Sequence, residues 1–141
     1  ALPPPPELSH ALRSLLQSAA DRGDTALLVP LLSRLQRLDA SPSPADIVRV
    51  VRCFARCEDL GRAEAMADWM RRTPEVGPSL AGYAALLALP EGALQRRPGD
   101  ETRRLGAERL KVAERAYRCL LEDGIAPDAH FFAAYLDVCA L

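Results

Sequence analysis

Arg49, Arg52 and Arg56 are spaced i, i+3 and i+7, which on a helix gathers three guanidinium groups on one face. A guanidinium forks onto two phosphate oxygens at once and stacks on bases. Three in a row would track a nucleic-acid backbone and give salt-dependent affinity. The alternative is a solvated face pairing with acidic neighbours. A second basic group holds Arg96, Arg97, Arg103 and Arg104, with Asp100 and Glu101 among them. It can reach RNA or a protein neighbour, or simply form a solvated loop. Cys53 and Cys57 stand four apart on one helical face. No C-x-x-C motif accompanies them, and neither His10 nor His130 has metal-site spacing to a cysteine. The four cysteines therefore read as reduced, mostly buried thiols acting as small apolar groups. There is no Gly-rich phosphate loop, no H-E-x-x-H and no nucleophile elbow. The chain is expected to be no enzyme, with no catalytic residue, no metal and no cofactor.

The composition narrows the partners. The chain has 141 residues, 49% hydrophobic and 26% charged, which suits one globular domain with a core. Net charge is −1. A dedicated nucleic-acid binder usually carries a basic excess, so any RNA contact must come from a local patch. Of the 18 cationic residues, all but Lys111 are arginine. This suits phosphate contact, and it is also what a GC-rich genome produces. No apolar run approaches the length of a bilayer. The chain opens on Ala1 rather than Met, which reads as a processed or trimmed product.

The elements that must position these groups are helices. Residues 1–6, ALPPPP, read as a non-helical lead-in. Apolar residues at three- and four-residue intervals then predict helices over about 7–20, 24–38, 45–57, 60–72, 79–89, 101–123 and 128–141. Asp24 is a good N-cap for the second helix, and Ser43 or Asp46 for the third. Pro30 must kink the second helix or mark its true start. Residues 90–104, PEGALQRRPGDETRR, are polar and broken by proline and glycine. They read as an insertion between two helices.

The stretch AERAYRCLLEDGIAPD, Ala113 to Asp128, sets the register of the whole chain. Gly124 stops its helix, Pro127 keeps it from resuming, and Asp128 caps the next. The punctuation recurs. Pro44 and Pro78 are 34 residues apart, and Pro78 and Pro127 are 49 apart, about one insertion too many for a 35-residue unit. Ala63/Met70 and Ala113/Leu120 repeat a small residue followed seven on by a large one. This pattern, closing on Gly124-Ile125 and Pro127-Asp128, resembles the second helix and linker of a pentatricopeptide (PPR) repeat. The tetratricopeptide pattern wants a small residue where Met70 and Leu120 stand. The match is strong over 105–135, fair over 45–79 and weak over 8–44.

The resemblance implies an all-α fold, a right-handed α-solenoid of about three and a half helix-turn-helix repeats. The units are residues 7–43, 44–78 and 79–127, the last carrying the 90–104 insertion, and a half unit 128–141. In this family the first helices line a concave surface that can bind single-stranded RNA. That places Arg49, Arg52 and Arg56 on it, with Arg96 and Arg97 in reach. The family's base-reading positions fall near Arg49, Ala85 and Ala134, with partners near Ser79 and Ala129. Alanine cannot hydrogen-bond a base edge, so backbone or structured-RNA contact, or a structural role, is implied. The half unit leaves Phe132, Tyr135 and Leu136 to be covered by a partner or by further chain. The resemblance thus implies a subunit of an organellar ribonucleoprotein such as a mitochondrial ribosome, with RNA and protein subunits as partners and neither membrane nor small-molecule substrate. The organelle is expected to be the mitochondrion, with the plastid as alternative. The rival readings are a protein-binding scaffold and the RNA-binding part of a larger enzyme resembling protein-only RNase P.

Overall fold

The chain was analysed as a computed structural model that describes residues 6–38, 42–96 and 99–141. Seven α-helices account for most of it, with no strand among the described residues: α1 (Pro6–Arg22), α2 (Thr25–Arg37), α3 (Pro44–Arg56), α4 (Leu60–Arg72), α5 (Leu80–Ala85), α6 (Asp100–Glu122) and α7 (Ala129–Cys139). A short 3₁₀ turn, Ala93–Gln95, lies between α5 and α6. None of these helices is long and apolar enough to cross a membrane.

The helices begin where a side-chain oxygen can take an orphan backbone N–H. Asp24 accepts from Leu27, Ser43 from Asp46, Asp59 from Arg62, Ser79 from Gly82 and Asp128 from Phe131. The ends are equally regular. After α1, Gly23 turns left-handed, and the Asp24 N–H reaches back to the Ala19 carbonyl at 2.9 Å. After α6, Gly124 does the same, and Ile125 bonds to Leu120. After α3 the left-handed residue is Glu58, at φ 66°, and Asp59 bonds to Phe54 at 2.9 Å. Each end is a Schellman stop followed by a cap. The Gly23-Asp24 and Glu58-Asp59 turns lie 35 residues apart.

Packing follows two rules. Each odd-numbered helix of α1 to α5 packs on the even one after it, and the odd helices also touch in sequence, α1 on α3, α3 on α5 and α5 on α7. Helix α3 is the centre. It contacts α1, α2, α4 and α5, and it buries Ile47, Val50, Val51, Phe54 and Ala55. Leu16 and Leu28 from the first pair and Leu120 and Phe131 from the last are fully enclosed in the same core.

Several expectations are corrected. Pro6 is not lead-in but the first residue of α1, as proline's fixed φ allows; residues 1–5 lie outside the described ones. Pro30 lies inside α2 and is not its start. Its ring frees the Ala26 carbonyl, and both residues are exposed, so water can take that bond. Helix α5 stops at Ala85 rather than running to Leu89. Beyond it, Leu87 bonds to Ala84 and Ala88 to Ala85, so the chain tightens to i→i+3 bonds before Pro90. Because α6 starts at Asp100, Arg103 and Arg104 belong to that helix and not to the insertion. The thiols are not mostly buried. Cys53 is buried, Cys119 is half-buried, and Cys57 and Cys139 are exposed, at or beside helix ends.

One buried carboxylate joins α1 to α3. Asp46, 2% exposed, accepts from Arg13 Nε at 3.2 Å and from Gln17 Nε2 at 2.9 Å. Burial alone would push its pKa up, but the hydrogen bonds from Gln17, Ser43 and Arg13 outweigh it and hold the carboxyl below its ordinary value. A depressed folded pKa stabilises the fold fully above the unfolded value of about 3.9 and loses that contribution as pH falls through the folded one. Urea denaturation across pH should therefore show an acid-side decline that Asp46→Asn removes. The variant should also lose about 1–3 kcal/mol at neutral pH. An unchanged acid limb in the variant would show that Asp46 is not the titrating clasp.

Candidate nucleic-acid interface

Helix α3 turns its apolar face into the core, which leaves Arg49, Arg52 and Arg56 outward and exposed. The structure thus brings these three together on one ridge. Arg49 faces Asp21 of α1 at 3.5 Å, with both side chains largely in solvent, so the pair holds little. Arg52 and Arg56 make no hydrogen bond or ion pair among the described residues, although both stand between hollows that face solvent.

On one side of the ridge is a cleft of about 500 Å³ between α3, α5 and α7. Ala81, Ala84 and Ala85 of α5, with Leu87, Ala88, Leu89 and Pro90 just after it, give the cleft an apolar lining. Arg52 and Arg56 form one wall, and His130, Ala134 and Asp137 of α7 form the wall opposite. Gly92, Ala93, Leu94 and Gln95 of the insertion also line the cleft. On the other side a smaller hollow of about 300 Å³ lies against the end of α1, lined in part by Arg22, Arg49 and Cys57. The Cys57 S–H there donates to the Gly23 carbonyl at 3.6 Å, and burial pushes the neighbouring Cys53 thiol up to about 11. The Cys53 sulfur is therefore not a ready nucleophile.

The cleft is held in shape from behind. Arg109 of α6 is 5% exposed and points between two helix ends. It donates to the Ala55 carbonyl in the last turn of α3 at 2.9 Å and to the Ala88 carbonyl just after α5 at 3.1 Å. A cation at helix C-termini meets the negative ends of both dipoles. Burial pulls the Arg109 pKa down, Glu58 opposes that fall and Arg96 adds to it. A guanidinium starts so high that it stays charged. Arg96 in turn reaches Glu58 at 3.4 Å, a weak exposed pair between the insertion and the end of α3.

A second network fixes α5 and α6 to α4. The Tyr83 hydroxyl and Arg71 both donate to the Asp123 carboxylate, and Arg71 also reaches Glu122 at 3.2 Å. Burial, then the Asp123 carboxylate, push the Tyr83 pKa up, so the phenol stays protonated. Arg115 forks onto Glu64 at 2.7 and 2.8 Å.

The remaining candidates fall out as follows. Arg97 lies outside the described residues. Ala85 and Ala134 line the cleft, and the Ser79 hydroxyl is taken up by its cap to Gly82 at 3.0 Å. On α7, Phe132 and Leu136 are 44% and 67% exposed, whereas Tyr135 is half-buried with its ring edge-on to Tyr117 at 6.0 Å. Among the described residues, no three His, Cys, Asp or Glu side chains group as a metal would need. Neither a family model nor any curated protein matches the sequence.

If Arg109 carries the two helix ends, Arg109→Leu strands the Ala88 carbonyl and takes one of two donors from the Ala55 carbonyl, and should cost roughly 1–3 kcal/mol. Arg109→Lys, with one compact head, should recover only part of it. Arg104→Ala, on the same helix but exposed, should stay within about 0.5 kcal/mol of wild type. Urea midpoints check all three, and equal values for Arg109→Leu and Arg104→Ala would discard the clasp.

Proposed function

We propose that the chain is a PPR-like right-handed α-solenoid of about three and a half hairpins that binds single-stranded or structured RNA inside an organellar ribonucleoprotein. The mitochondrion is the compartment this reading favours, and an organellar ribosome the assembly. The chain acts by contact, as an RNA-binding or bracing subunit, and not as an enzyme.

The observation that carries the reading is the ridge on α3. Two arginines with no acidic partner among the described residues stand on the row of odd-numbered helices, beside a cleft with a largely apolar lining. Guanidinium groups left unpaired on a chain of net charge −1 are the natural grip for phosphates. The 35-residue interval between the Gly23 and Glu58 turns, with the contacts between successive odd helices, supports the stacked-hairpin reading. With alanine at the base-facing positions, the ridge grips the backbone and does not spell out a base-by-base code.

A second reading, a protein-binding surface, draws on α7. Phe132 and Leu136 expose a contiguous apolar edge there, of the kind that a protein neighbour covers in an assembly. The two readings are compatible in a ribonucleoprotein, where one face meets RNA and another meets protein.

RNA binding at several salt concentrations tests the main reading. The chain should bind single-stranded RNA with affinity that falls steeply as salt rises. Arg49→Ala/Arg52→Ala/Arg56→Ala should weaken binding and flatten the logarithmic salt slope by about 2. No binding at low salt, or a triple variant that binds as well as wild type, would turn the reading toward the protein scaffold.

A further inference from the structure

We propose that copies of this chain join head to tail, with α1 of one copy packed on α7 of the next, so that the row of odd-numbered helices continues from molecule to molecule. This rests on the stacked-hairpin reading and is independent of the arginine ridge.

The joints inside the molecule show which positions such contacts use. Counted from its first residue, every odd helix after α1 buries its third position: Asp46 in α3, Gly82 in α5 and Phe131 in α7. The tenth position is also buried in α3 and α7, as Cys53 and Val138. The cover comes from the helices before. Asp46 is held by Arg13 and Gln17 of α1, and the Phe131 ring stacks on Tyr117 of α6. In α1 the same third and tenth positions hold Leu8 and Leu15, which are 41% and 45% exposed. The face that joins a helix to the hairpin before it is thus present on α1, apolar and open to water.

Its complement lies on α7. In the joint between α1 and α3, the third residue of the later helix, Asp46, meets the eighth residue of the earlier one, Arg13. The eighth residue of α7 is Leu136, 67% exposed, with Phe132 exposed one turn before it. The one acid of α7, Asp137, lines the cleft instead. A joint in the register of the internal one therefore sets Leu8 of one copy against Leu136 of the other. Leucine meets leucine where the internal joint sets a carboxylate against a guanidinium. The two open faces match in kind, which is what favours a second copy as the occupant. Of the six large apolar residues exposed among the described ones, Leu8, Leu15, Phe132 and Leu136 belong to these two faces. Covering them takes apolar area out of water, and no charge of α7 has to be buried with them. Because head and tail differ, each joint leaves one of each free, so association passes beyond the dimer into chains or a ring.

Sedimentation velocity of the full chain over a wide concentration range tests this. The wild-type mass should rise with concentration and pass the dimer. Leu8→Asp and Leu136→Asp each put a carboxylate into the joint, and each should weaken association by about 10-fold or more. Leu94→Asp, an equally exposed leucine on the insertion, should change nothing. Circular-dichroism melts confirm that all three variants fold. Mixing is the decisive arm. Leu8→Asp keeps an intact tail and Leu136→Asp an intact head, so the two together should form one joint and stop at a one-to-one pair. A wild type that stays monomeric at every concentration overturns the proposal. So does a mixture that fails to pair. Self-association of Leu8→Asp as strong as wild type overturns it too, because α7 would then be pairing with α7. Salt-dependent RNA binding is a separate measurement, and it stands or falls on the α3 ridge alone.

Discussion

A guanidinium with no carboxylate partner among the described residues joins the end of α3 to the segment just past α5. Arg109 ends in two backbone carbonyls, one from the last turn of α3 and one just past α5. The Ala55 carbonyl also takes the Glu58 N–H at 3.2 Å, whereas no backbone N–H among the described residues reaches the Ala88 carbonyl. Buried without a donor, the Ala88 carbonyl would destabilise the fold. Arg109 satisfies one from each helix and places a positive charge where both dipoles are negative. The opposite end of α3 uses the mirror solution. Asp46 sits in its first turn, where a negative charge is favoured, and takes its donors from α1. Helix α3 is thus fastened at its start to α1 and at its end to α5 and α6.

That fastening decides what the outer face of α3 can do. The core residues and both polar ends point inward, so the rotation of the helix is fixed. Arg49, Arg52 and Arg56 are carried outward with no freedom to turn into the core. Several acids of the chain are paired with other arginines. Glu64 is held by Arg115, Glu122 and Asp123 by Arg71, and Asp59 by Arg62. Net charge near zero and a locally unpaired cationic ridge are therefore consistent. The balance is struck between elements, not on each face.

How much of this could be read from the sequence depends on the kind of signal. Caps and stops were legible, because Asp24, Ser43, Gly124 and Asp128 act through their own neighbours in the chain. Helix existence was legible, because apolar spacing is local. The length of α5 was not. Leu86, Leu87 and Leu89 continue an apolar run whether the backbone is α-helical or tightened before Pro90, so periodicity could not mark the boundary. Asp46 and Arg109 were missed for a different reason. Both stand on amphipathic helices among other charges, where an acid or arginine usually faces water. Their burial comes from partners 21 to 54 residues away, and no spacing rule sees that far. The cleft was half legible. Its arginines announce themselves, but Asp137 and His130 join them only because α7 packs on α5.

Glu58 shows how the same turn can carry structure and site together. Its φ of 66° is the conformation in which glycine costs least, and glycine holds that position after α1 and α6. A side chain there strains the backbone by roughly 1 kcal/mol. Glutamate brings two compensations that glycine could not. Its carboxylate anchors Arg96, and its field opposes the desolvation of Arg109. Neither contact is strong alone, since the Arg96 pair is long and open to water. Together they tie the insertion to the point where α3 and α5 are clasped. The wall of the cleft and the clasp behind it thus meet at one strained residue, so a change in either is felt by the other.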